Sequence, residues 1–173
     1  MMINAPVFAN ATNELIDEHL QAGHRVRFVI TTTSMLPMLA PGDQVIVAPT
    51  TPEQLRVGDI IVWRASGTWL AHRFIERRTA DAWIITKGDN HPFADSPQPA
   101  IYARGVVVAL QNDTRQTNLV STRVRWLSRW IASWSRRQAA WVKSEPNLAQ
   151  RIASKICRVL IVACAWTARQ IAI

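Results

Sequence analysis

Three side chains in separate stretches have the types that acyl transfer needs. Ser34 sits in "TTSMLPMLAPGDQVIV" (residues 32–47), between a pair of threonines and a Pro-Gly-Asp corner; His72 sits in "WLAHRFIER" (69–77); and "TKGDNHPFADSP" (86–97) holds Asp89, Asn90, His91 and Asp95. A serine hydroxyl becomes a nucleophile when an imidazole takes its proton, and a carboxylate on the far ring nitrogen fixes the tautomer and stabilises the imidazolium. Each residue also has an ordinary explanation. Serine is common in turns because its hydroxyl bonds nearby backbone groups, and a histidine among apolar neighbours can be an inert core residue. Spacing along the chain does not show that the three meet.

The elements that must position them are short and β-rich. Runs of β-branched and aromatic residues predict strands over 25–30, 44–47, 59–64, 68–77, 82–86 and 104–110. Pro41-Gly42, the prolines of 49–52, Ser66-Gly67 and the 88–99 loop separate them with turn residues. Many short strands with brief connections predict a compact, mainly β domain, a barrel or sandwich, over residues 25–112. Alternation in "WLAHRFIER" puts Leu70, His72, Phe74 and Glu76 on one face. The loop after the next strand is long and polar for so small a domain, which is where function is commonly carried. Residues 9–22 read as a short helix within a leader of residues 1–24, and the opening residues lack the basic and apolar regions of a secretory signal.

The chain has 173 residues, about half of them apolar, enough to bury a real core. Cys157 and Cys164 lie in an apolar stretch without a CxxC pair or a nearby histidine, so neither a zinc site nor a disulfide framework is expected and no cofactor is predicted. The net charge of +8 is unevenly placed. Residues 1–117 carry ten Lys and Arg against eleven Asp and Glu, whereas 118–173 carry ten against one. The first part has the balance of an ordinary domain; the second has that of a segment meeting a polyanion or an anionic membrane.

Five short motifs in a fixed order resemble those of the type I signal peptidases and their relatives, the LexA-like self-cleaving proteases. They are Ser34-Met35-x-Pro37, Gly42-Asp43, "RVGDIIVWR" at 56–64, "HRFI" at 72–75, and "KGDN" at 87–90 with Asp95 beyond, together covering residues 25–110. The common bacterial enzymes use lysine as base where this chain has His72, so the resemblance is to the Ser-His branch of the archaeal and endoplasmic-reticulum enzymes. It implies Ser34 as nucleophile, His72 as base and Asp95 as its orienting acid. It also implies Thr32 as a hydroxyl that helps the Ser34 N–H hold the oxyanion, although a turn threonine fits equally well. Asp89 is expected to be structural or to support the site, as the corner of an Asx-turn, and Met35 and Pro37 to stand at the substrate cleft, with Met35, Met38 and Leu39 equally suited to the core. Histidine suits the task, since its ordinary pKa of about 6.5 needs none of the desolvation that brings a lysine down from about 10.4.

The remaining residues, 113–173, predict a basic helical hairpin. In "VRWLSRWIASWSRRQAAWVK" (124–143), at about 100° per residue, Trp126, Trp130, Trp134 and Trp141 fall on one side with Leu127, Ile131 and Val142. Arg125, Arg129, Arg136 and Lys143 fall opposite, while Arg123 and Arg137 intrude. Such a helix suits a membrane interface, and also suits docking on its own domain. After Glu145-Pro146 a second helix is expected from Leu148; its apolar run 159–168 falls short of the ~20 residues a spanning helix needs.

These readings predict a serine endopeptidase that cuts a precursor protein or peptide after small residues. Segments 123–143 and 148–173 are expected to hold it peripherally on an anionic membrane, a cytoplasmic location being the alternative; no specific nucleic acid is expected. Two other classes fit the same motifs. A self-cleaving regulator needs an internal cleavage segment, for which Ala22-Gly23 is the one suitable dipeptide, and a non-catalytic module would use the fold and the basic tail to bind lipid or nucleic acid.

Overall fold

The computed structural model describes residues 5–65, 67–78, 82–112, 115–142 and 148–172; the Glu145-Pro146 break and Ser66 lie outside the described residues. Helix α1 (Ala5–Gln21) leads into strands β1 (Val26–Val29), β2 (Gln44–Pro49), β3 (Ile60–Ala65), β4 (Thr68–Arg78), β5 (Trp83–Lys87), β6 (Gln98–Pro99), β7 (Ala103–Asn112) and β8 (Arg115–Asn118), then helices α2 (Thr122–Trp141) and α3 (Leu148–Ala172). The strands form one antiparallel sheet in the order β1-β2-β7-β3-β4-β5-β6, with β8 added to the far part of β7. The protein is an eight-stranded antiparallel sheet with a C-terminal helical pair, and the sheet has open ends at β1 and β6.

Strand alternation sorts the side chains into two apolar layers. Ile61, Trp63, Phe74 and Ile84 pack on one face with Leu55, Ala100, Ala103 and Val106. On the other face Val45, Val47, Ile60, Val62 and Val107 meet Leu20 of α1, Met35, Met38 and Leu39 of the β1–β2 loop, and Val124, Ile131, Ile161, Ala165 and Ala168 of the two helices. The leader, the β segment and the tail therefore share one core. Helix α1 is tied down further by an Asp17–Arg104 ion pair of 2.9 Å and by Asn13 donating to the Gly67 carbonyl at 2.9 Å.

Two glycine-bearing or irregular positions explain how the motifs serve this packing. Gly58 of "RVGD" has φ +103°, and a Cβ there would lie 2.9 Å from the Ser128 carbonyl carbon and 3.0 Å from the Arg129 nitrogen, so α2 docks backbone against backbone where no side chain fits. In β4, Phe74 pairs with Thr86 but Glu76 pairs with Ile85, leaving Ile75 as a bulge. Successive residues of β5 face opposite ways, so Glu76 leaves the face it was expected to share with His72 and Phe74.

The tryptophan side of α2 does not form a single exposed stripe. Ile131 is fully buried, Leu127 and Trp134 pack partly against the core, and Trp126 and Trp130 remain exposed, ring against ring at 5.6 Å. Helix α3 lies along α2, with Gln138 donating to the Ser154 carbonyl at 3.3 Å. Cys157 is buried and Cys164 half-buried, both as thiols.

Candidate active site

Ser34 sits in the loop joining β1 to β2. The neck of that loop is closed by Ile30 N–H donating to the Asp43 carbonyl and Gly42 N–H donating to the Ile30 carbonyl, each at 2.8 Å. Its underside is pinned by Met35, Met38 and Leu39, all buried in the core. Asp43 accepts from the Ala40 N–H at 2.7 Å and from Arg169 of α3 through both oxygens, at 2.6 and 3.0 Å. The "PGD" corner is thus a turn fastened to the last helix. The Leu36–Pro37 peptide is cis.

His72 projects from β4 on the face carrying Trp63 and Phe74, and the residue is 7 % exposed. Trp63 and His91 stand edge-on to it, with centroids 5.7 and 5.8 Å away. Its Nδ1 is 2.7 Å from Asp95 Oδ2, and the same oxygen accepts a 2.6 Å bond from Thr86 Oγ1. Thr86 also anchors the backbone, since its carbonyl accepts from the Asp95 N–H at 2.8 Å. Burial pushes the Asp95 carboxyl up, but the bonds from His72 and Thr86 and the nearby His72 and His91 rings outweigh it and hold Asp95 below its ordinary value. An ionised Asp95 fixes the proton of neutral His72 on Nδ1 and leaves Nε2 as the acceptor.

Nε2 and Ser34 both come close to Gly88. A Cβ on Gly88 would lie 2.8 Å from the Ser34 carbonyl oxygen, 3.2 Å from His72 Nε2 and 3.3 Å from Ser34 Cβ. Ser34 and the His72 ring flank one point, and glycine keeps it open. Asn90 secures the approach: its N–H donates to the Ser34 carbonyl at 2.9 Å and its side-chain amide to the Thr33 carbonyl at 3.2 Å. In this structure Ser34 Oγ is hydrogen-bonded to Thr32 Oγ1 at 3.2 Å rather than to His72.

Asp89 faces away from this point. It forms a bidentate pair with Arg73 at 2.8 and 2.6 Å, both side chains being fully buried, and Arg73 also donates to the Gly58 carbonyl at 2.8 Å. Asp89 therefore joins the "KGDN" loop to β4 and to "RVGD" through an ion pair, in place of the expected Asx-turn. Lys87, cross-strand from Arg73, is also fully buried and donates to the Gly88 carbonyl at 3.2 Å. Burial lowers its pKa to about 8, opposed by Asp89 and Asp95 and aided by Arg73 and Arg158.

An apolar cleft of about 380 Å³ opens beside Ser34, lined among others by Thr32, Met35, Phe28, Val29, Trp69 and Leu70. Phe28 and Trp69 meet edge to face at 5.5 Å. Met35 lines this cleft, whereas Pro37 is half-buried and outside its wall. Thr86, Gly88, Asn90 and His91 have no role assigned from the sequence; the long polar loop covers the last three, and the "KGDN" motif covers Gly88 and Asn90. Among the described residues no cluster of three His, Cys, Asp or Glu side chains has the arrangement of metal ligands.

Comparison with protein-family models, with curated proteins and with solved structures finds no match to this chain.

Proposed function

We propose that this chain is a serine endopeptidase of the signal-peptidase type, with Ser34 as nucleophile, His72 as general base and Asp95 as the group that orients it. One observation carries the reading: the Asp95–His72 hydrogen bond engages Nδ1 and leaves Nε2 beside Gly88, a position next to Ser34 where only glycine fits. Rotation about the Ser34 Cα–Cβ bond turns Oγ from Thr32 toward Nε2. As Oγ attacks the scissile carbonyl carbon, its proton passes to Nε2. The tetrahedral oxyanion is held by the Ser34 N–H, which has no backbone acceptor among the described residues, and by the Thr32 hydroxyl. Collapse breaks the C–N bond, and Nε2 returns the proton to the leaving amine. Water then repeats the sequence on the acyl-enzyme, with His72 again as base.

The substrate is an extended segment of a precursor protein or peptide. Among the described residues strand β1 pairs in the sheet with β2 alone and borders the cleft, so its other edge offers backbone groups to a peptide strand. Preference for small residues at the cut follows from the signal-peptidase resemblance. Self-cleavage at Ala22-Gly23 is the weaker reading: Gly23 lines a different groove, with Pro49, Thr51 and Arg104, and does not line the Ser34 cleft.

No described helix is long and apolar enough to cross a membrane. We place the enzyme peripherally on an anionic membrane, supported by the ten-to-one excess of cations over acids in residues 118–173. Incubation of a peptide library with the full chain, read by mass spectrometry, tests the activity. The wild type should produce new termini after small residues and Ser34→Ala none, while the intact mass of the enzyme stays unchanged. A shortened enzyme would favour self-cleavage, and equal cutting by Ser34→Ala would overturn the reading.

A further inference from the structure

Helix α3 is apolar on two opposite sides. One side supplies Cys157, Ile161, Ala165 and Ala168 to the core, each 1 % exposed or less. The other presents Leu148, Ile152, Ile156, Val159, Val162 and Trp166, with Val159 67 % and Trp166 58 % exposed. At about 100° per residue these six fall within an arc of about 120°, along about 27 Å of helix. An amphipathic helix that only docks on its own domain has no use for a second apolar side, and a contiguous exposed patch of this kind marks an interaction surface.

The occupant is indicated by charge. Lys155, within that arc, and Arg158, beyond its edge, line the shallow hollow with Val159, Val162, Ala163 and Trp166; Arg151 lies on the same edge, and Arg158 also donates to the Asn90 side-chain oxygen at 3.1 Å. In residues 118–173 cations outnumber acids ten to one. A second copy would set like charges against each other around the stripe, whereas a layer with an apolar interior and anionic headgroups satisfies both features. The cations also interrupt the helix often enough that it cannot cross a bilayer. We infer that α3 lies flat in the interface of an anionic membrane, with Ile152, Val159, Val162 and Trp166 among the acyl chains and the basic flank at the headgroups. This surface, and not the tryptophan side of α2, makes the principal contact, because most of the α2 apolar side is already spent on the core. The inference does not depend on the protease reading.

Co-sedimentation of the full chain with phosphatidylcholine vesicles, with and without phosphatidylglycerol, tests it. Binding should need phosphatidylglycerol, weaken with salt, and retain a salt-resistant remainder. The double variant Val159→Glu/Trp166→Glu should bind about tenfold or more weakly with an unchanged melting temperature, since both side chains are exposed, and Trp126→Glu should change binding less. Undiminished binding by the double variant, or loss confined to Trp126→Glu, would overturn the assignment. So would a wild type that ignores vesicles yet forms a dimer which the double variant abolishes, for that result would make the face a contact between copies.

Discussion

His72 and Arg73 are neighbours on β4, and each meets a carboxylate from the same loop, yet the two pairs do opposite work. Arg73 and Asp89 are both fully buried, the arginine has a third bond to the Gly58 carbonyl, and nothing in that arrangement is free to react. In the His72–Asp95 pair one ring nitrogen is engaged while the other lies beside Gly88, next to Ser34, and the Asp95 side chain is 29 % exposed. Strand alternation sends consecutive residues to opposite faces, so one loop can be bolted down on one side of the sheet and poised for chemistry on the other. A saturated pair fixes position. An unsaturated one can move a proton.

Breaking each pair in turn should separate the two roles. The largest effects are expected for the proposed triad. Ser34→Ala and His72→Ala should each lower peptide kcat/KM by about 10³-fold or more, and Asp95→Asn, which disturbs the imidazole tautomer, by up to about 10⁴-fold, as measured by steady-state hydrolysis. Circular dichroism melts of the three should stay near wild type. Arg73→Met should do the reverse: it strands a buried Asp89, costing about 3–5 kcal/mol, seen as a melting point lower by about 10 °C, while the molecules still folded keep near-normal turnover. Comparable catalytic loss in Arg73→Met below its melting point would mean that the two sides of the loop are not separable.

A subtler variant sharpens the contrast. Lys87 lies on the Arg73 side, and burial lowers its pKa to about 8. The unfolded chain, with an ordinary lysine value near 10.4, binds the proton more tightly, so the charged form costs stability below pH 8 and the cost fades as pH rises from there toward 10.4. Lys87→Met should therefore be more stable than wild type at pH 7 by of the order of 1–3 kcal/mol. That advantage should shrink above pH 8, read as denaturant midpoints across pH, and hydrolysis should persist. Abolished hydrolysis in a folded Lys87→Met would move the base from His72 to Lys87.

The smallest effect concerns Asp95, whose folded pKa is held below the ordinary carboxylate value. Its charged form contributes stability that is fully present above about pH 4 and is lost as pH falls from there through the folded value. The stability gap between wild type and Asp95→Asn, measured by denaturant titration, should be flat at neutral pH and narrow below about pH 4.

The main strands and the three helices were legible in the sequence because β-branched runs, turn residues and 3.6-residue periodicity are local signals. Strands β6 and β8 were not: Gln98–Pro99 is two residues long with a proline, and Arg115–Asn118 is four polar residues whose pairing with β7 is a tertiary fact. The Ile75 bulge was hidden because alternation assumes a regular ladder. Ser34, His72 and Asp95 stood out by type and motif order, while nothing in the sequence marked Arg73 as the partner of Asp89, a pairing that is a tertiary fact. The charge split of the tail was plain. Periodicity showed that α2 has an apolar side without showing that the sheet covers much of it, and only the packed structure reveals that α3 has a second apolar side turned outward.

The central claim is that His72, held by Asp95, activates Ser34, and peptide kcat/KM of His72→Ala against wild type tests it most directly when both are shown folded by their circular dichroism melts. The account predicts a loss of about 10³-fold or more with the melt unchanged. Near-normal turnover by folded His72→Ala would contradict it.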